Sequence, residues 1–102
     1  MHSTAIPQLR QHREIIAALS LSHLSLISRQ KLLTDELSVN AYPTTRGGFV
    51  YVGQTVYRIP GEADLAAVFE VAEAAGVLWL LFDQDAAVID GLPTFGEVSP
   101  GA

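Results

Sequence analysis

Apolar and polar positions change their period several times along the chain, and each change marks an element. Residues 16–24 begin apolar and then alternate, with Leu19, Leu21 and His23 set against Ser20, Ser22 and Leu24. A period of two predicts a strand. The good helix formers from Glu14 to Leu19 are the rival signal, and a short helix over about 8–16 would feed that strand. Ser25 is an N-cap residue type before a helix expected over 26–36, with Leu26, Leu33 and Leu37 on one face. Residues 38–42 read as a strand that Pro43 stops or holds at a sheet edge. Residues 44–47 turn, and the Gly47-Gly48 pair lies between strands, as in a hairpin. Residues 48–52 form a second strand rich in β-branched and aromatic residues. Gly53-Gln54 has the composition of a two-residue hairpin loop, which predicts a third meander strand over 55–59.

Pro60-Gly61 breaks the pattern, and the clearest helix follows over 62–75. Leu65, Val68, Phe69 and Ala72 obey helical spacing, Glu62 and Asp64 sit in the first turn, and Gly76 supplies the C-terminal cap. The run Val-Leu-Trp-Leu-Leu-Phe over 77–82 is apolar throughout, as expected of a strand buried on both faces with Trp79 in the core. Residues 87–89 form a short last strand. The expected order is β-α-β-β-β-α-β-β: an α+β fold with a single, mainly antiparallel sheet of about 4–6 strands and two packed helices. Residues 1–95 make one domain with 1–8 as a loose lead-in, and 96–102 are a flexible tail. If both helices lie on one face, the apolar residues on both sides of strand 48–52 leave the other face in need of cover. A twofold homodimer is the expected solution.

At 102 residues, 49% of them hydrophobic, the chain suffices for one compact domain, and a charged fraction of 17% is too low for a disordered segment. No run of about 18 apolar residues is present, so no membrane-spanning helix is expected. The apolar stretch after Arg10 and Arg13 is opened by Glu14, interrupted by Ser20, Ser22, His23 and Ser25, and lacks a small-x-small cleavage site. It reads as part of the fold, and the protein as cytoplasmic. With no cysteine there is no disulfide framework, thiol nucleophile or cysteine metal site. The first 52 residues carry five basic against three acidic side chains, and the remainder one against eight. Nothing resembles a basic stripe for phosphates, so direct nucleic-acid binding is not expected. The acidic second half has two readings: charge that keeps an apolar small domain soluble, or a surface for a basic partner.

Candidate chemistry is sparse. Asp83-x-Asp85 at the end of an apolar strand is the arrangement in which phosphatases of the haloacid-dehalogenase type place a nucleophile and an acid/base, and with Asp90 it offers oxygen ligands to a hard cation. Only 17 residues follow, without a lysine to complete such a site. The competing use of both carboxylates is to cap a turn. His23 is the acid/base candidate within a regular element, against a structural role at the strand–helix junction. Tyr42, Tyr51 and Tyr57 are candidates for a binding surface, with Tyr51 and Tyr57 paired across the hairpin, and Arg46 at a turn tip is a candidate anion contact. The catalytic candidates are thus His23, Asp83 and Asp85. The metal candidates are Asp83, Asp85 and Asp90, and no cofactor is expected. There is no G-x-S-x-G elbow, P-loop or dinucleotide fingerprint.

Several segments in order resemble a family of small bacterial domains of unknown function. They are Ser22-His23-Leu24-Ser25 opening a helix with Leu32-Leu33, Tyr42-Pro43 before the 48–52 strand, the 79–85 segment, and the 88–95 segment ending Pro93-Thr94-Phe95. The resemblance covers about residues 19–95. It implies a cytoplasmic accessory protein of plasmids and integrative elements and carries no catalytic residues. The chain departs from that pattern at Gln84, where a basic residue is expected between the acids. The reading is therefore a non-enzymatic interaction domain that binds itself and another protein. The alternatives are a metal-dependent phosphate-handling enzyme or a small-molecule sensor with a pocket between the 62–75 helix and the sheet.

Overall fold

The computed structural model describes residues 3–53 and 59–95. The elements run α1 (Ala5–Gln11), β1 (Ile16–Ser20), a 3-10 turn (Leu21–His23), α2 (Leu26–Leu33), β2 (Ala41–Thr44), β3 (Gly47–Tyr51), α3 (Ala63–Ala75) and β4 (Trp79–Asp83). The four strands form one sheet in the order β1-β4-β3-β2. β3 pairs antiparallel with β2 and with β4, whereas β1 runs parallel to β4. The α+β fold and its two packed helices are as the sequence predicts, in a mixed sheet with a third helix, α1, before it.

The differences have local causes. The first strand ends at Ser20 and not at Leu24, because the Ser20 hydroxyl accepts the Ser22 N–H at 3.1 Å and starts the 3-10 turn. α2 stops at Leu33, and Thr34 turns its hydroxyl back to the Gln30 carbonyl at 3.0 Å. The face of α2 that meets the core is Ser28 and Leu32, while Leu26 and Leu33 are exposed. Residues 87–89 form no strand. The Ala87 carbonyl accepts the Ser20 N–H at 2.9 Å, and the segment then bonds to the 3-10 turn at Ser22 and His23. The expected strand over 55–59 lies, but for Ile59, outside the described residues. Pro43 sits in edge strand β2 opposite Gly48, where its missing N–H breaks no inner ladder.

Burial alternates along β4: Leu80 and Phe82 are buried, and Trp79, Leu81 and Asp83 half-buried. Register extends that division across the sheet. Leu19, Val50, Leu80 and Phe82 join Leu32 of α2 and Leu65, Val68, Phe69 and Ala72 of α3 in one core. The approach of α2 is close. A side-chain carbon at Gly48 would lie 2.7 Å from Leu32 Cδ1 and 3.0 Å from the Tyr42 carbonyl oxygen. Gly76 ends α3 in the left-handed conformation, φ 75°. Both main helices thus cover the same side of the sheet, and the opposite side carries no element of the described chain.

Candidate functional site

The uncovered side is aromatic. Pairing of Tyr42 with Phe49, Phe49 with Leu81, and Tyr51 with Trp79 puts all five side chains on that side, joined by Ile16 beside Trp79. Trp79 is the hub. Its ring lies 4.8 Å from Tyr51, 6.1 Å from Tyr42 and, edge to face, 6.4 Å from Phe49, between ring centroids. Tyr42 and Tyr51 are exposed. The indole Nε1–H donates to Glu14 Oε1 at 2.6 Å, which fixes the ring from the start of β1. The core position expected for Trp79 is therefore corrected. The strand is covered by helices on one side only, and its odd-numbered residues fall on the other.

The opposite end of the same face is charged. Arg46, in the β2–β3 turn, pairs with Asp85 and lies 3.6 Å from Asp83. Asp83 Oδ1 also accepts the Asp85 N–H at 2.8 Å, the turn-capping arrangement of a strand end. Asp90 lies in a separate turn after Ile89. Among the described residues no three His, Asp or Glu side chains are grouped so as to hold a metal ion. Of the binding candidates, Tyr42, Tyr51 and Arg46 share this face, and Tyr57 lies outside the described residues. Phe49 was already expected on one apolar face of its strand; the signal that adds Trp79 and Glu14 to it is strand alternation read together with two helices on one side.

His23 is fully buried on the other side of the sheet. Its Nε2 accepts the Ile89 N–H at 2.9 Å, so the ring proton is on Nδ1, which donates to the Pro93 carbonyl at 2.8 Å. Both nitrogens are engaged in holding the 84–95 segment. Arg29 assists: it donates to the Leu24 carbonyl at 2.9 Å and to the Phe95 carbonyl, while the Phe95 N–H reaches the Ser22 carbonyl at 2.6 Å. An acid/base needs a nitrogen free to face a reactant, and here neither is.

Two further carboxylates fasten the helices. Asp64, in the first turn of α3, accepts the Ser25 N–H at 2.8 Å and the Ser28 hydroxyl at 2.9 Å, so it caps α2 from outside. Burial alone pushes its carboxyl up, but those hydrogen bonds outweigh burial and hold it below the ordinary carboxylate range. Glu62 shows the same balance: burial is outweighed by the Ser38 hydroxyl and N–H and by Lys31. An apolar recess of about 150 Å³ lies between α3 and β1, lined by Ala17, Leu19, Val71, Ala75, Ile89 and Leu92 among others. It lacks the converging polar groups that orient a ligand.

Fold and face together define a small α+β domain with a helix-covered side and an open aromatic side. The chain belongs to the DUF5983 family of unknown function, whose C-terminal domain it matches over residues 16–97. No curated protein and no solved structure matches the chain. Among the described residues no helix is long and apolar enough to cross a membrane.

Proposed function

We propose that this is a non-enzymatic interaction domain that binds another protein through the open side of its sheet, as a cytoplasmic accessory protein of a mobile element. The observation that carries the binding role is the cluster of Trp79, Tyr42, Tyr51 and Phe49 on a side covered by no other element of the described chain. Solvent-facing aromatic clusters are costly to keep and are the residues that anchor interfaces. The mobile-element setting rests on the family resemblance, and genes for transfer or integration beside the coding region would support it.

The binding role is tested by comparing capture of partners by the wild-type chain, Trp79→Ala, Tyr51→Ala and Glu70→Ala, the last on the solvent side of α3. Loss of a captured protein with the two sheet variants but not with Glu70→Ala is the expected result. Capture that survives Trp79→Ala would overturn the reading.

A further inference from the structure

The open face has a charge as well as an apolar character. Among the described residues, three carboxylates, Glu14, Asp83 and Asp85, stand at its two ends against the guanidinium of Arg46, which the two aspartates already engage. Arg13, next to Glu14 in the chain, turns back to the Arg10 carbonyl at 3.1 Å. Between the acidic ends lie the rings of Trp79, Tyr42 and Tyr51. The negative face of an aromatic ring attracts cations, and tryptophan does so best. The Glu14 hydrogen bond adds to this. A carboxylate accepting the indole N–H polarises electron density onto the ring, and its second oxygen remains beside the ring edge, where a guanidinium stacked on the indole has its own N–H groups.

Resting on the reading that this face is a docking surface, we propose that its partner is a basic protein that lays an arginine side chain over Trp79, with Glu14 as its counter-charge. The complementarity is on both counts: a planar, weakly hydrated cation suits a ring platform, and a positive segment suits acidic ends. A second copy of this chain is the competing occupant and fits less well. Face to face, two copies bring six carboxylates together with two guanidiniums that are already paired.

Trp79 is the chain's one tryptophan, so its fluorescence reports occupancy of the face directly. The full chain is titrated with a short oligoarginine peptide, with oligolysine of equal length, and with a neutral peptide, and the titrations are repeated on Glu14→Gln and Glu70→Gln. Both variants change net charge equally, and both alter exposed side chains, so the fold is preserved. The expected result is a saturable change in emission that favours oligoarginine over oligolysine. Glu14→Gln should weaken binding by about threefold to tenfold, the range of a partly exposed cation–ring and ion-pair contact, while Glu70→Gln changes it little. Equal weakening by the two variants, or equal response to the two cationic peptides, would mean diffuse attraction and would overturn the proposal. If instead emission shifts with protein concentration alone and sedimentation gives twice the 11.0 kDa chain mass, the face binds a second copy. The arginine proposal then fails while the docking reading stands. An emission unmoved by peptide, by concentration and by any captured partner would remove both.

Discussion

Replacing His23 by leucine separates a structural histidine from a catalytic one. Leucine is apolar and close in size, so the buried site stays filled and little is lost from packing. What disappears is the pair of bonds that His23 makes to the Ile89 N–H and the Pro93 carbonyl. Each such bond contributes about 1 kcal/mol net, and a partner left buried and unpaired costs about 1–3 kcal/mol. Burial decides between these outcomes. Ile89 and Pro93 are themselves exposed, so once released they can turn to water instead of remaining unsatisfied. The expected global loss is therefore near the lower figure, about 2 kcal/mol for two bonds, and the main effect is local. The 84–95 segment should lift from the 3-10 turn while the sheet and α3 persist. Urea unfolding gives the global number, and hydrogen exchange gives the local one: the Ile89 and Phe95 amides should lose protection, whereas the Leu80 and Phe82 amides keep it. An unchanged midpoint with full protection at Ile89 would refute the clamp. A fall of about 4 kcal/mol or more, the range of a collapsed core site, would show that the segment is part of the core and does not peel away.

Asp64→Asn keeps the shape of the side chain and removes the charge that Ser25 and Ser28 bind; a loss of about 1–2 kcal/mol at neutral pH is expected from chemical denaturation, discounted for partial exposure. Because the folded Asp64 carboxyl lies below its ordinary value, its contribution is fully present above about pH 4 and disappears as pH falls through the folded value. Wild type and Asp64→Asn should thus converge in stability under acid, and a constant gap down to low pH would contradict the cap. Gly48→Ala pushes a methyl group against Leu32 and the Tyr42 carbonyl, so despite the better strand propensity of alanine it should lower thermal stability by about 1–2 kcal/mol. Combined with Leu32→Ala the loss should be less than additive, and strict additivity would mean that the two sites do not touch.

The elements set by one strong local signal were readable in the chain. α3 has apolar residues at helical spacing, acids in its first turn and Gly76 at its end, and the structure places it within a residue of the expected start. The edge position of Pro43 follows from the N–H that proline lacks, and the Thr45-Arg46 turn from the Gly47-Gly48 pair that follows it. What failed to show was whatever depends on a distant partner. The alternation through Leu21 and His23 looks like a strand, but His23 is drawn inward by Ile89 and Pro93, some seventy residues on. Ser28 lies on the buried face of α2 because Asp64 receives its hydroxyl, and no local pattern announces that. The parallel pairing of β1 with β4 is likewise a property of the assembled sheet and leaves no trace in either strand alone.

Trp79 shows how the same limit bears on the candidate site. An unbroken apolar run looks like a strand buried on both sides, and composition cannot say whether both layers exist. In this fold α2 and α3 lie on one side, so Leu80 and Phe82 receive cover while Trp79 and Leu81 do not. Were the uncovered positions merely surface, small polar residues would serve there at no cost in solubility. The chain instead sets Tyr42, Phe49 and Tyr51 around Trp79 and ties the indole to Glu14, a bond that holds the ring in one orientation before anything arrives. An aromatic platform held in place loses little side-chain freedom when a partner settles on it. That preorganisation sets the platform apart from the exposed Leu26 and Leu33 of α2, whose side chains no hydrogen bond holds in one orientation and which would lose rotamer freedom on binding.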